Sequence, residues 1–347
     1  ALPEARALVL AIVLGAARFC PHATATAPGY PLIASYSARE IGANATGWTA
    51  VQDAAGVLYF GCENLVTFDG ERWRESSLQG AHTIRSLAFG HDGRLWAAAS
   101  DDVGWFDREA DRWNFHSLRE FISPEHKMIG EVWHVFAEGA GALFVAEDRI
   151  LRWDGSSFRG WVMPGTRHLR AFRLGEQVFV QHKPAGLYRM GDAGPEMFMP
   201  ASVLGTAGIF WIERRGAGWF LVTSEGLFTL SGGILQAIAG EAGDFLRTNS
   251  PCFAAQLPDG RLAVATVRNG IAFIRPDGSL ERTISDGDGL PTRFITGLFV
   301  DRDGGLWATS LAHISRIAAS SPTTVFDARA ALPNKPYHAL AAVGDRL

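Results

Sequence analysis

Cysteine is scarce: three residues, Cys20, Cys62 and Cys252, in a chain of 347. They show no metal-type spacing, so neither a thiolate metal site nor a densely disulfide-stapled scaffold is expected. A dominant charge sign is missing too. Lys and Arg number 32 against 36 Asp and Glu, for a formal net charge of -4. No basic excess exists to neutralise phosphates, which excludes nucleic-acid binding by bulk electrostatics. Ten histidines are scattered with no pair at i,i+2 or i,i+4, so no sequence-local zinc site forms. The nucleophile elbow G-x-S-x-G is absent. No catalytic residue, metal or cofactor is assigned from the sequence.

Long apolar runs are nearly absent as well. The exception is Ala7 to Ala17, preceded by Arg6 and followed by small residues at Ala23-Thr24-Ala25 and Ala25-Thr26-Ala27. This pattern reads as a secretory leader over residues 1–27. The run is too short to span a bilayer comfortably. Membrane attachment is therefore expected only through segments outside this chain. Two cysteines then survive in the exported part, and the simplest reading makes them small buried hydrophobes.

Turn formers and large flat side chains are plentiful: Gly 39, Phe 22, Trp 11 and Tyr 5. Together they point to an all-β protein with short strands. Segments 51–73, 87–113, 135–158 and 298–317 resemble one another, and 172–190, 212–230 and 254–274 are weaker copies. Each has an apolar strand, a turn that is usually Gly-containing, a second strand opening on an aliphatic-aromatic pair in most copies, and a third strand. The aromatic gives a ruler: Tyr59, Trp96, Phe144, Phe179, Phe220, Ala263 as a departure, and Trp307. The steps are 37, 48, 35, 41, 43 and 44, a mean of about 41. Multi-strand repeats of this period are β-propeller blades.

In the first copy, Trp48–Gln52 reads as the inner strand, Asp53 to Gly56 as a turn, and Val57–Gly61 and Leu65–Phe68 as the next strands. Asp69-Gly70 then signals a hairpin, and Trp73 opens the outer strand. One such sheet has two apolar faces and cannot bury both alone; stacking against neighbours covers them and ring closure protects the edges. The recurring aromatics are thus inter-blade packing. The expected architecture is a seven-bladed β-propeller over residues 30–320. Tyr30–Ser37 is read as an outer strand completing the seventh blade from the other end of the chain. Residues 321–347 read as the beginning of a further blade or second propeller.

The chain also resembles a known repeat. Asp288-Gly289-Leu290-Pro291, Ile295, Leu298, Asp301, Gly304, Leu306-Trp307 and Ala308-Thr309-Ser310 are similar to the two-component regulator propeller repeat. Val66-Thr67-Phe68-Asp69-Gly70 and Leu151-Arg152-Trp153-Asp154-Gly155 match its second half. Copies four to six depart from it. The resemblance implies an extracytoplasmic, periplasmic sensor region of a membrane-bound bacterial signalling protein. Dimerisation would come through the full-length receptor, and the kinase, cyclase or regulator output would lie beyond Leu347.

Propellers bind ligands at the mouth of the central channel. Counting eleven back from each ruler position reaches the start of each innermost strand: Trp48, Arg85, Trp133, His168, Ile209, Cys252 and Thr296. Arg170 is the equivalent in the shortened fourth blade. Trp faces stack on sugar rings and Arg grips carboxylates. Trp48, Arg85, Trp133, His168 and Arg170 are therefore the candidate ligand-binding residues, for an acidic or neutral saccharide or another small molecule. The competing expectations are a carbohydrate-cleaving enzyme, which needs converging carboxylates or a His/Glu metal cluster, and a passive protein-interaction scaffold. The acidic stretch Ile284 to Gly289 has too few carboxylates for a calcium shell and reads as a surface turn.

Overall fold

The computed structural model describes residues 29–76, 83–109, 112–166, 168–205, 207–321 and 323–325. The expected leader and most of the expected further blade lie outside the described residues. Leu32–Pro322 forms one compact unit. In a separate unit, Tyr30–Pro31 pairs antiparallel with Thr324–Val325.

The large unit is a seven-bladed β-propeller of four-stranded antiparallel sheets. Blade 1 comprises Thr49–Gln52, Leu58–Gly61, Leu65–Phe68 and Trp73–Ser76. The inner strands of the next five blades are Ile84–Phe89, Val132–Glu138, Arg170–Leu174, Ile209–Arg215 and Pro251–Gln256. Each inner strand neighbours the next, and Gly297–Val300 of blade 7 closes onto Thr49–Gln52 of blade 1. Blade 7 takes its outer strand from the far end of the chain: Ile33–Ser37 pairs with His313–Ile317, in register from Ile33 opposite Ile317 to Ser37 opposite His313. The outer strand is shorter than the expected Tyr30–Ser37, because Tyr30 and Pro31 pair elsewhere.

Among the described residues seven hydrophobic clusters form, and each joins adjacent blades rather than filling one sheet. Trp307 and Ile314 of blade 7 meet Phe60, Val66 and Phe68 of blade 1, and Tyr59 and Leu65 of blade 1 meet Ile84, Leu95 and Phe106 of blade 2. The ruler aromatics are buried in these seams, as packing and not as a cofactor site. At the departure, Ala263 sits opposite Phe273, whose buried ring supplies the missing volume from the neighbouring strand.

The turn before the second strand has its own chemistry. In blade 7, Asp301 accepts hydrogen bonds from the amides of Asp303 (3.0 Å) and Gly305 (2.7 Å), from Trp307 Nε1 (2.8 Å) and from Arg316 Nε (2.8 Å). Gly304 takes φ 78° at the turn, a conformation that side chains resist. In blade 1, Asp53 accepts from the amides of Ala55 and Val57 and from the Tyr59 hydroxyl. Blade 2 has Gly90 where those blades have Asp, and Trp96 Nε1 is buried without a hydrogen-bond partner. The acidic stretch near 286 is a capped 3₁₀ turn: Asp288 accepts from the Ser285 amide and hydroxyl, and Asp286 pairs with Arg293.

Candidate functional site

The inner strands carry a local irregularity that aims side chains at the axis. Antiparallel register slips by one residue between Ile84 and Ser86, Val132 and His134, Ile209 and Trp211, and Pro251 and Phe253. Each slip is a β-bulge, in which two residues oppose one and a side chain is re-aimed. The residues skipped are Arg85, Trp133, Phe210 and Cys252, and all four line one cavity. Blade 1 behaves alike, since Trp48 donates its amide to Gly61 O just before Thr49 pairs with Gly61. Blade 7 brings Thr296 to the same place, its amide bonded to Thr309 O. Close approach there needs Gly297, where a Cβ would lie 2.5 Å from Trp48 O.

The cavity measures about 420 Å³, toward the lower end of the roughly 300–1,000 Å³ of small-molecule pockets. Trp48, Arg85, Trp133, His168 and Arg170 all line it, with Ile209, Cys252 and Thr296. The structure thus brings together every residue of the predicted ring. In blade 4 both His168 and Arg170 line it. Position is what the geometry establishes; the ligand-binding role of these residues is taken up below.

On one side of the cavity Arg85 lies against two indoles, 4.1 Å from the Trp48 ring centroid and 5.1 Å from that of Trp133. The indoles meet edge-on at 6.2 Å. Arg85 Nε donates to Glu131 Oε2 at 2.7 Å, and Ser100 Oγ donates to the same oxygen at 3.0 Å. Arg85 Nη1, Trp48 Nε1 and Trp133 Nε1 are buried without a hydrogen-bond partner among the described residues. Such orphaned donors are costly in a folded interior. His168 stands edge-on to Trp133 at 5.0 Å.

On another side Arg170 stacks over Phe210, its guanidinium carbon 4.1 Å from the ring centroid. Among the described residues neither Arg170 nor Lys183 has an ion-pair partner. A Cβ placed on Gly208 would lie 3.4 Å from Lys183 Nζ and 3.6 Å from Arg170 Nε, so the two cations pack side by side against Gly208. Burial lowers the Arg170 guanidinium to about 10. Burial, with the charges of Arg170 and Lys183, lowers the His168 imidazole to about 4. Burial, with His168 and Arg170, lowers His134 to about 3. Both imidazoles are therefore neutral at pH 7. Burial pushes the Cys252 thiol up to about 12, and Cys62, also free and buried, likewise to about 12. Neither thiol is a nucleophile at neutral pH.

Sequence reasoning missed Glu131, His134, Phe210 and Lys183. Counting from the ruler gives one position per blade, and the bulge in blade 5 moves the re-aimed residue one step, from Ile209 to Phe210. Glu131 and Lys183 sit outside the inner strands, where no repeat register points to them.

The cavity lining holds no Asp or Glu. Among the described residues no group of three His, Cys, Asp or Glu is placed to hold a metal, and no helix is long and apolar enough to cross a membrane.

No family model matches the chain, and no curated protein does. Solved structures do. The extracellular domain of the hybrid two-component system BT4673 from B. thetaiotaomicron superposes with TM-score 0.64 at 17% identity, covering 83% of this chain and 40% of that one. The corresponding domain of BT3049 from the same organism gives 0.63 at 17%, covering 84% and 42%. Virginiamycin B lyase from Staphylococcus aureus gives 0.61 at 11%, covering 82% and 98%. At these identities the likeness is one of fold, shared by sensor domains and an enzyme. The chain spans about two fifths of the length of the two sensor domains.

Proposed function

We propose that this chain is the ligand-sensing propeller region of a membrane-bound bacterial signal-transduction receptor, located outside the cytoplasm. The observation that carries the reading is the channel cavity, walled by Trp48, Trp133, Phe210 and three arginines, with buried donors that lack partners among the described residues. Unsatisfied donors beside a vacant space of ligand size favour an occupant that brings acceptors. The repeat resemblance and the fold shared with extracellular sensor domains support the same role. Binding would shift the receptor only by favouring one of its states over another. Export, membrane anchoring and homodimerisation belong to the full-length receptor in this reading. The role read for the chain is binding; the pair of carboxylates that a glycoside-cleaving site uses is not in the cavity lining.

The test is calorimetric screening of the 347-residue chain against glycans and small metabolites, with product analysis by mass spectrometry. Saturable binding that weakens in Trp133→Ala, without turnover of the bound compound, supports sensing. Turnover would replace it with an enzymatic role. Binding of nothing across the library would leave a scaffold.

A further inference from the structure

We infer that the ligand of this cavity is an organic carboxylate with a flat apolar body, its carboxylate seated at Arg170 and Lys183 beside Gly208. The inference rests on the sensing reading and names the chemistry of its ligand. Two observations carry it, and they lie in different parts of the wall.

The first is the imbalance of charge. Arg85 is neutralised by Glu131, but Arg170 and Lys183 have no carboxylate partner among the described residues. They lie side by side against residue 208, with Arg170 in the cavity lining and Lys183 next to it, just outside the lining. Arg170 is held by stacking on Phe210, which orients the guanidinium plane and leaves its donors free. A stacked guanidinium grips a carboxylate with paired hydrogen bonds, and a lysine beside it adds a point charge. Burial first, and the neighbouring charges second, hold the His168 and His134 imidazoles neutral. Because both are neutral, they add no charge of their own.

The second is the poverty of acceptors. A saccharide presents hydroxyls that both give and take hydrogen bonds, so its site needs carboxylate or amide side chains. The lining has no Asp, Glu, Asn or Gln. Its one side-chain hydroxyl, on Thr296, already donates to Gly47 O and lies 3.3 Å from Thr309 Oγ1. Acceptors reduce to imidazole nitrogens and backbone carbonyls. By contrast, aromatic faces and edges abound: Trp48, Trp133, Phe172, Phe210, Phe253 and Phe294. Burying a sugar here would strand hydroxyl donors for want of acceptors, whereas an aryl body brings no donors to strand.

The experiment uses the full chain in isothermal titration and ligand-observed NMR. The probes are benzoate, phenylacetate and indole-3-acetate, each with its primary amide, and glucose and glucuronate as comparators. The aryl carboxylates are expected to bind, their amides about tenfold or more weakly. Arg170→Gln and Lys183→Gln are each expected to weaken the acids by about tenfold and leave the amides unchanged. Lys183 is exposed, so its variant keeps the test sharp if Arg170→Gln folds poorly. Acids and amides binding alike, or Lys183→Gln leaving the acids unaffected, overturns the assignment. Glucose binding that survives both charge variants but not Trp133→Ala overturns it while preserving the sensing reading. Failure of every carboxylate also overturns it, and the sensing reading then stands or falls on the wider library.

Discussion

Removing the carboxylate of Asp301 takes away the one group that holds the seventh blade's turn, its buried indole and its third strand together. The Asp301 side chain is 4% exposed. Its four donors do not lose equally in Asp301→Ala. The Asp303 amide and Arg316, whose side chain is 35% exposed, can turn to water. The Gly305 amide and Trp307 Nε1 are buried and would be left unpaired. Stranded buried donors cost about 1–3 kcal/mol each, and breaking a buried charge pair about 3–5 kcal/mol. The expected loss is therefore about 3–5 kcal/mol, a large share of the roughly 5–15 kcal/mol by which domains are stable. Asp53→Ala removes a less buried carboxylate but leaves the hydroxyl of buried Tyr59 unpaired, and should cost about 1–3 kcal/mol. Urea unfolding followed by circular dichroism reads both as a fall in midpoint at constant slope. The variant Trp307→Phe removes the indole donor, so the pair should show coupling of at least about 1 kcal/mol in a double-mutant cycle. Acid gives an independent check. Burial alone would raise the Asp301 carboxyl, but the hydrogen bonds of Arg316, Trp307 and Gly305 outweigh it and set it below the usual carboxylate range. A depressed carboxyl stabilises the fold above its unfolded value of about 3.9, and that stability is lost as pH falls through the lower folded value. Wild type should lose its advantage over Asp301→Ala there. An Asp301→Ala cost below about 1 kcal/mol, or strict additivity with Trp307→Phe, would refute the reasoning.

The remaining predictions concern other blades. Gly90→Asp gives blade 2 the Asp-x-Asp-Gly-x-Leu-Trp pattern of blade 7; a Cβ there lies 3.1 Å from the orphaned Trp96 Nε1 and 2.6 Å from Asp92 Oδ1, so once the Asp92 side chain turns aside the variant should gain up to about 1 kcal/mol in urea, a loss counting against the repeat logic. Acidification should weaken the fold in the window from about 6.5 down to about 4, because His168 titrates at about 4 folded and near 6.5 unfolded. The unfolded chain binds the extra proton there, so melting temperature falls with pH, and His168→Gln should flatten that slope by the equivalent of about 1–2 kcal/mol after allowance for solvent screening. Ser35 and Ser315 are cross-strand partners with Oγ atoms 2.9 Å apart. Cysteines at both positions should cross-link, and closing a loop of 280 positions adds up to about 5 kcal/mol by chain entropy; equal stability of oxidised and reduced protein would show that blade 7 does not close this way.

The period, the strands of blade 1 and the ring of inner-strand starts were legible because stacking repeats one physical problem seven times. The same turn and the same buried aromatic recur wherever two sheets must seal against each other. Trp48, Arg85, Trp133, His168 and Arg170 could be placed on one channel from register alone. What aims them there was not legible: the bulges at Arg85, Trp133, Phe210 and Cys252 arise from pairing between strands and leave no residue signature. Nor was the coupling of Asp301 to Trp307 and Asp53 to Tyr59 drawn from the repeat, although Asp six positions before a ring that donates a hydrogen bond is visible in two copies. Lys183 was hidden for a different reason. It reaches Arg170 across Gly208, a residue of the next blade, so only assembly of the ring brings the two cations together.

The antiparallel clasp of blade 7 has a direction. Ile33 faces Ile317 at one end of the pair and Ser37 faces His313 at the other. The chain before Ile33 and the chain after Ile317 therefore leave from the same corner. Tension drawn through those two flanks meets the pair end-on and separates its rungs singly, like a zip, where a lengthwise load would have to shear them all together. A receptor that tugged on this propeller from that corner would load the clasp in the direction that opens it one rung at a time.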